Sequence, residues 1–373
     1  MALPLLVVAV LFVAFANGAN DNFKGVATLH GSGTLAYRPA LAWATISTLA
    51  GSLAAAWLSG GLVSRFTGKG LVADAVVTSP AFLLAVAAGA SATVLVATRL
   101  GFPISTTHAL TGALVGAGMV VAGPSHVAYG TLGRAFALPL LASPLLATVL
   151  TAGLYAALRQ ARLALGVTHE DCICVGQRAP LAALTADGRV LPVGGGGPGV
   201  SIDRPERCER RYAGAVLGIR TQSALNGLHL LTAGAVGFAR GLNDTPKIVA
   251  LLVGAGALGV HDGIGLVAVA MAAGGILAAR RVADTMAHGI SGMNHGQGLT
   301  ASLVTAGLVM AASPLGLPVS TTHVSCGALF GIGAVNGEAR WRMIGQVLVA
   351  WVTTLPVAIL FAAFFALLAS TVR

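Results

Sequence analysis

Charge is scarce in this chain. Asp, Glu, Lys and Arg make up 9% of the 373 residues, whereas soluble domains have about 25%. Aromatic residues account for only 5% and there are four cysteines, which is too few for a fold held together by disulfides. Hydrophobic residues reach 56% and the mean hydropathy is +0.85. These values exclude an ordinary soluble domain and indicate an integral membrane protein.

Uncharged runs long enough to cross a bilayer as helices, about 17–25 residues, recur along the chain. They occupy residues 1–20, 40–62, 80–98, 136–158, 221–239, 263–279 and 343–372. Two further uncharged runs, 100–133 and 296–337, are interrupted by prolines. The sequence therefore predicts an all-α membrane protein in which some helices are discontinuous or re-entrant.

Two polar motifs each occur twice. Residues 15–24 read Phe-Ala-Asn-Gly-Ala-Asn-Asp-Asn-Phe-Lys, and residues 238–247 read Phe-Ala-Arg-Gly-Leu-Asn-Asp-Thr-Pro-Lys. Residues 101–108 read Gly-Phe-Pro-Ile-Ser-Thr-Thr-His, and residues 316–323 read Gly-Leu-Pro-Val-Ser-Thr-Thr-His. The chain is therefore a duplicated unit with one copy of each motif in each half.

The duplication predicts two transmembrane repeats, at 1–158 and 213–373, separated by a hydrophilic loop at 159–212. If each repeat crosses the membrane an odd number of times, the two insert with opposite orientations. In such inverted-topology repeats the four polar motifs meet near the middle of the membrane.

The motifs have residue types that suit an anion site. In Pro-x-Ser-Thr-Thr the proline ends one segment, and a Ser or Thr caps the next helix and leaves N–H groups at its positive end. In the first Asn-Asp motif we expect a helix from Leu3 to end at about Phe15. In the second, Thr245 suits an N-cap and Pro246 suits the first helical position, so we expect a helix to restart there. Intramembrane carboxylates are costly and usually functional, which favours a buried polar site over hydroxyls that only bond their own helix.

The paired motifs and the large hydrophilic loop resemble the inorganic phosphate transporter (PiT) family. The resemblance covers both halves but not the loop, and it implies inverted repeats that carry phosphate with a coupling cation. It also implies that the motif residues line the phosphate and cation sites, namely Asn20, Asp21, Ser105, Thr106, Thr107, Asn243, Asp244, Ser320, Thr321 and Thr322.

The sequence departs from the family pattern in its lysines. Many members continue the first motif with Val-Ala-Asn-Ala, whereas Lys24 and Lys247 here follow Asp21 and Asp244 by three residues. Each lysine either neutralises its own aspartate or extends toward an interface, or it balances the charge of a bound anion. On the second interpretation two aspartates and two lysines are neutral together. Proton coupling is then favoured over sodium coupling, and no cofactor is required.

Several other interpretations remain open from the residues alone. His108 and His323 end the hydroxyl motifs and could relay protons, although a histidine near a helix end more often only donates or accepts a structural hydrogen bond. His169, Cys172, Cys174 and Cys208 in the loop could supply four metal ligands, but Cys-x-Cys is an unusual spacing for zinc. Sulfate or another tetrahedral oxyanion is the nearest alternative substrate. An intramembrane hydrolase using an Asp dyad or Ser and His is the competing class, but duplicated motifs suit a transporter better than an enzyme.

The formal net charge of +10 has a membrane explanation rather than a nucleic-acid one. Basic residues concentrate in the loop at 159–211, which the positive-inside tendency places in the cytoplasm. We therefore expect a multi-pass protein of the plasma (inner) membrane whose partners are inorganic phosphate and the lipid bilayer, and a homodimer is left open.

Overall fold

The computed structural model describes residues 2–58, 60–179, 181–184, 187–194 and 197–371. The chain forms two compact units. The larger contains Met1–Tyr155 and His229–Arg373, and the smaller contains Ala156–Leu228.

The first half of the chain is helical. Its α-helices are α1 (Ala2–Asp21), α2 (Ala27–Gly31), α3 (Tyr37–Leu58), α4 (Gly60–Phe66), α5 (Asp74–Val77), α6 (Pro80–Leu100), α7 (Thr106–Val121), α8 (Tyr129–Thr131) and α9 (Leu138–Ala164). Short 3-10 segments at Asn22–Gly25 and Pro124–His126 and a π-helical segment at Leu132–Ala137 complete it.

The second half is built the same way after a short helix, α10 (Pro205–Arg211), in the smaller unit. Its α-helices are α11 (Thr221–Gly254), α12 (Val260–Ala278), α13 (Arg280–Asp284), α14 (His295–Ala312), α15 (Thr321–Asn336) and α16 (Trp341–Thr371). A π-helical segment, Thr285–Gly289, joins α13 to the chain before α14.

Six helical segments among the described residues are long and apolar enough to cross a membrane. They are Leu3–Gly25, Tyr37–Leu58, Pro80–Leu100, Tyr129–Ala164, Val260–Ala278 and Trp341–Thr371. Each overlaps a span predicted from the sequence, and the protein is a multi-pass membrane protein. The remaining predicted span, 221–239, lies in α11, whose first turns contain the polar residues Gln222, Asn226 and His229.

Both Asn-Asp motifs differ locally from the prediction. α1 does not end at Phe15 but continues to Asp21, where the 3-10 segment begins. α11 runs without interruption from Thr221 to Gly254, so Thr245 is not an N-cap and Pro246 lies inside the helix. Thr245 instead hydrogen-bonds Ser52 on α3, with 2.7 Å between the two hydroxyl oxygens. A proline inside a membrane helix is tolerated where neighbouring helices support the backbone.

The two Pro-x-Ser-Thr-Thr motifs confirm the predicted caps. Ser105 precedes α7 and its hydroxyl accepts the backbone N–H of His108 at 3.2 Å. Ser320 precedes α15 and accepts the N–H of His323, also at 3.2 Å. Both cap residues have extended backbone angles, so a non-helical segment leads into each helix from within the buried part of the protein.

Glycines allow the helices of the two halves to pack against each other reciprocally. A Cβ on Gly18 of α1 would lie 1.9 Å from the carbonyl oxygen of Met271 on α12. A Cβ on Gly241 of α11, the equivalent position of the second motif, would lie 2.2 Å from the carbonyl oxygen of Thr48 on α3. Each motif helix therefore rests on a helix of the other half at a distance that only glycine permits.

The smaller unit corrects the all-α prediction. It contains β1 (Cys172–Arg178), β2 (Leu181–Leu184), β3 (Val190–Gly194), β4 (Pro198–Asp203) and β5 (Tyr212–Arg220). These strands form an antiparallel sheet of order β4-β1-β5 and a β2-β3 hairpin. Before β1, the backbone N–H and hydroxyl of Thr168 donate hydrogen bonds to Asp171, which lowers the pKa of that carboxyl group.

Two of the four predicted metal ligands in this unit are paired with each other instead. Cys174 on β1 forms a disulfide with Cys208 on α10, so neither sulfur is available as a thiolate. Cys172 is a free buried cysteine in the same small core with Tyr212. A Cys-x-Cys pair in a strand places its two side chains on the same face, and here one of the two pairs with a distant cysteine rather than with a metal.

Candidate functional site

Five charged side chains are buried together where α1, the 3-10 segment after it and α11 meet. They belong to Asp21, Lys24, Arg240, Asp244 and Lys247, and none of these residues as a whole is more than 3% exposed. Lys24 pairs with Asp21, and Lys247 lies 3.4 Å from Asp244. Neither lysine extends toward a membrane interface, so the expectation that they could reach one is wrong, whereas each does lie beside its own aspartate. We call these five residues the charged cluster.

Each lysine connects the two halves of the protein in the same way. Lys24 Nζ donates to the carbonyl oxygen of Ile104, in its own half, at 2.8 Å and to the hydroxyl of Thr322, in the other half, at 2.6 Å. Lys247 Nζ donates to the carbonyl oxygen of Val319 and to the hydroxyl of Thr107, both at 2.8 Å. Ile104 and Val319 occupy equivalent motif positions, and so do Thr107 and Thr322.

The aspartates contact the first turns of the capped helices. The hydroxyl of Thr106 on α7 donates to Asp21 Oδ2 at 3.1 Å, and the hydroxyl of Thr321 on α15 lies 3.5 Å from Asp244 Oδ2. The side-chain amide of Asn17 lies 2.9 Å from Asp21 and 3.4 Å from Asp244. The N-terminal turns of α7 and α15 therefore touch the same charged cluster, and helix N-termini favour negative charge.

Arg240 is the member of the charged cluster that the sequence reasoning missed. Its guanidinium donates to Asn17 Oδ1 at 2.6 Å and to Asn22 Oδ1 at 3.1 Å, and its Nε lies 3.8 Å from Asp244 Oδ2. Asn17 occupies the same place in the first motif as Arg240 in the second, so the two equivalent residues bond each other across the repeat. A charged residue in an otherwise uncharged run was the signal that could have identified it.

The asparagines hold the non-helical segments in place. Asn20 donates to the carbonyl oxygen of Phe102 at 3.0 Å and accepts from Lys24 at 2.8 Å. Asn243 donates to the carbonyl oxygen of Val319 at 3.2 Å. The first of these bonds satisfies the carbonyl oxygen of Phe102 inside the membrane, and the second gives the carbonyl oxygen of Val319 a donor in addition to Lys247.

The structure brings together most, but not all, of the predicted site residues. Those around the charged cluster are Asn20, Asp21, Lys24, Thr106, Thr107, Asn243, Asp244, Lys247, Thr321 and Thr322. The hydroxyls of Ser105 and Ser320 act as helix caps. Thr245 points to α3 and to the sulfur of Met271 instead.

His108 and His323 lie against each other. Their ring centroids are 4.6 Å apart, and the ring of His323 is 3.9 Å from that of Trp351. Trp351 donates from its ring nitrogen to the carbonyl oxygen of Pro103 at 3.0 Å. In the described contacts neither imidazole hydrogen-bonds Asp21 or Asp244. The pair therefore sits next to the site, against the non-helical segment that precedes α7.

Outside the charged cluster, two histidines and an aspartate lie close enough together to resemble a metal site. Ligand atoms of His30, Asp284 and His288 all lie within 4.8 Å of one another. Asp284 already pairs with Arg280 at 3.3 Å, and Asp284 and His288 are exposed. A cation beside the carboxylate opposes metal binding, so these residues are not part of the candidate site.

The charge of the charged cluster determines what it can bind. With all groups ionised, two carboxylates face three cations and the net charge is one positive. The neutral balance expected from the sequence is wrong because it omitted Arg240. An uncompensated buried charge is costly, and charges about 4 Å apart interact by about 4 kcal/mol even at an effective dielectric of 20. The arrangement favours an anion at the cluster.

A multi-pass membrane protein with a duplicated, buried set of charges that contacts the first turns of two helices has the features of a membrane transporter rather than an enzyme. The model of the phosphate transporter family matches residues 17–362, and the chain belongs to that family.

Relatives support this assignment over nearly the whole length. The chain is 30% identical to a low-affinity inorganic phosphate transporter of Rhizobium meliloti, covering 97% of this chain and 96% of that protein. It is 28% identical to a phosphate permease of Haemophilus influenzae, and the match covers 94% of this chain and 92% of that protein. A solved structure of a sodium-dependent phosphate transporter has the same fold, with a TM-score of 0.76 and 19% identity over the whole of both chains.

Proposed function

We propose that this protein imports inorganic phosphate across the plasma (inner) membrane by alternating access, coupled to a cation. The observation behind the proposal is the charged cluster, which has a net positive charge and touches the N-terminal turns of α7 and α15. The relatives are described as phosphate transporters and permeases, which supports phosphate as the substrate.

The carboxylates favour phosphate over sulfate. Ionised aspartates only accept hydrogen bonds. Phosphate near neutral pH retains at least one O–H that can donate to Asp21 or Asp244, whereas sulfate has none and is repelled by these carboxylates. An anion site that contains two carboxylates therefore suits a protonated oxyanion.

The burial of the charged cluster supports alternating access. Because none of its members is more than 3% exposed, phosphate reaches the site only after helices move. The reciprocal packing of α1 on α12 and of α11 on α3 is the pairing expected if the two halves are inverted repeats that exchange helices. Two equivalent halves can open alternately toward the two sides of the membrane.

Charge balance favours a proton over sodium as the coupling ion. A phosphate monoanion neutralises the single net positive charge of the cluster. The phosphate dianion bound together with one proton is chemically the same species, so one coupled proton gives the same charge balance. Both carboxylates are already paired with Lys24, Lys247 and Arg240, which leaves little negative charge for Na⁺. The structural neighbour is described as sodium-dependent, so Na⁺ is the competing cation. His108 and His323 are the candidate proton relay.

Uptake into liposomes tests the proposal. Purified protein should accumulate radiolabelled phosphate without chemical change, and unlabelled sulfate should compete poorly. An imposed pH gradient should drive uptake in the absence of sodium. No uptake of phosphate would refute the proposed function, and uptake that requires a sodium gradient and ignores the pH gradient would refute proton coupling.

The orientation of the smaller unit rests on two opposing observations. Its basic residues support a cytoplasmic location. Its disulfide Cys174–Cys208 is typical of oxidising compartments and opposes that location. We propose the cytoplasmic orientation, which labelling of Cys172 in sealed vesicles tests.

A further inference from the structure

A groove separates α6 from α16 on the outer surface of the larger unit. Its volume is about 520 Å³, within the range of small-molecule sites. Its walls include Val96 and Leu100 of α6 and Val349 of α16, which are 47%, 66% and 63% exposed. Because both helices are apolar spans, these side chains face the acyl chains of the bilayer.

One end of the groove is positively charged. Arg342, in the first turn of α16, is the only charged residue among the described residues that line it. It is exposed and forms no ion pair with any carboxylate in the described part of the chain. An apolar groove with a free cation at the end of a membrane helix matches a molecule with an apolar tail and an anionic head.

We propose that this groove binds an anionic phospholipid, with an acyl chain between α6 and α16 and the phosphate group on Arg342. Basic pockets between membrane helices bind anionic lipid head groups by this charge complementarity. A second copy of the chain fits less well. A twofold contact would place the same lining on both sides, and that lining contains no carboxylate to pair with Arg342.

The inner wall of the groove belongs to a segment that contacts the charged cluster. Phe102 and Ile104 line the groove, and their carbonyl oxygens accept hydrogen bonds from Asn20 and Lys24, respectively. The carbonyl oxygen of Ile104 also accepts the hydroxyl of Thr322 from the other half at 2.8 Å. A lipid in the groove therefore supports the segment that leads into α7, and its presence should increase the rate of transport. The expected increase in transport rate rests on the proposed function, whereas the proposed lipid binding does not.

Lipid binding is measured by native mass spectrometry of the purified, delipidated protein. Phosphatidylglycerol and phosphatidylcholine with identical acyl chains are titrated separately. We expect tighter binding of phosphatidylglycerol, and Arg342→Gln should weaken it about fivefold, the effect of one basic residue near an anionic lipid surface. Arg38→Gln is the matched control, because Arg38 lies in the first turn of α3 and does not line the groove. Val349→Trp, which fills the groove, should reduce the binding of both lipids.

The outcomes separate the alternatives. Equal affinity for the two lipids, an unchanged Arg342→Gln variant, or equal losses in Arg342→Gln and Arg38→Gln would overturn the proposal. A delipidated dimer that Val349→Trp dissociates would assign the groove to a second copy and also overturn it.

A transport measurement tests the link to the site. In liposomes of phosphatidylcholine with or without phosphatidylglycerol, the anionic lipid should stimulate wild-type and Arg38→Gln uptake but not Arg342→Gln uptake. Equal stimulation of all three would refute the link. If wild-type protein fails to transport phosphate in either liposome, the proposed function fails, while the mass spectrometry result still decides lipid binding.

Discussion

Arg240→Gln is the substitution that most directly tests the charge of the site. It removes the third cation of the charged cluster and leaves two lysines against two aspartates. The amide of glutamine can still donate a hydrogen bond to Asn17, so the main loss is the positive charge. At an effective dielectric of 20, a cation about 6 Å from a bound monoanion contributes about 3 kcal/mol. We therefore expect the KM for phosphate to rise about 100-fold.

Arg240→Lys separates charge from geometry. Lysine keeps the positive charge but cannot make the simultaneous contacts of the guanidinium with Asn17 and Asn22. If charge is the main contribution, its KM should stay below that of Arg240→Gln, because the ammonium keeps its attraction for the anion even though a hydrogen bond from a charged donor is lost.

The assay is the concentration dependence of phosphate uptake in liposomes, with Arg38→Gln as a surface control. Size-exclusion chromatography and thermal unfolding in detergent establish that each variant is folded. The reasoning is refuted if folded Arg240→Gln protein has a KM within about threefold of wild type. It is also refuted if Arg240→Lys is as impaired as Arg240→Gln, because geometry rather than charge would then dominate.

Two pairs of substitutions and one labelling experiment test other parts of the site and the topology. Asp21→Asn and Asp244→Asn should each abolish or severely reduce uptake in folded protein, and wild-type uptake by both would contradict the site. Thr106→Val and Thr321→Val should each cost about 1–3 kcal/mol in apparent affinity for phosphate, because each leaves a buried partner unsatisfied. The loss should be larger for Thr106→Val, because the bond of Thr106 to its aspartate is shorter. Unchanged affinity and rate in both variants would place the site elsewhere. After mild denaturation of sealed, right-side-out vesicles, a membrane-impermeant maleimide should not label Cys172 if the smaller unit is cytoplasmic, and labelling equal to that of opened vesicles would place it outside.

Local sequence patterns predicted the helix caps correctly, but they wrongly predicted a helix break in the second Asn-Asp motif. The Pro-x-Ser-Thr-Thr motif contains all the signals for a helix start. Its proline ends the preceding segment, and the serine oxygen can accept the backbone N–H three residues later. Asn-Asp-Thr-Pro at 243–246 has equally good local signals for a helix start, yet α11 passes through it. The close contact of Gly241 with α3 and the bond of Thr245 to Ser52 depend on a distant helix, which local propensity does not include.

Arg240 and the disulfide were not predicted for a related reason. Comparing the two copies for identical residues identified Asp21, Lys24, Asp244 and Lys247 but passed over the position where the copies differ. That position holds Asn17 in one half and Arg240 in the other, and the difference makes the net charge positive. The disulfide between Cys174 and Cys208 depends on a sheet and helix formed by a loop of low hydropathy, and cysteine spacing alone does not determine pairing.

The reciprocal lysine bonds relate the charged cluster to the proposed transport cycle. Opening the site between the halves breaks the bond of Lys24 to Thr322, the bond of Lys247 to Thr107, or both. These bonds are equivalent under the repeat, so in the proposed cycle we expect opening toward either side to cost a similar free energy. Arg240 has no cationic counterpart at Asn17, so it is the place where this equivalence fails. If phosphate binds at the charged cluster, it interacts more strongly with the half that contains Arg240, and we therefore expect Arg240 both to increase phosphate affinity and to bias which side opens.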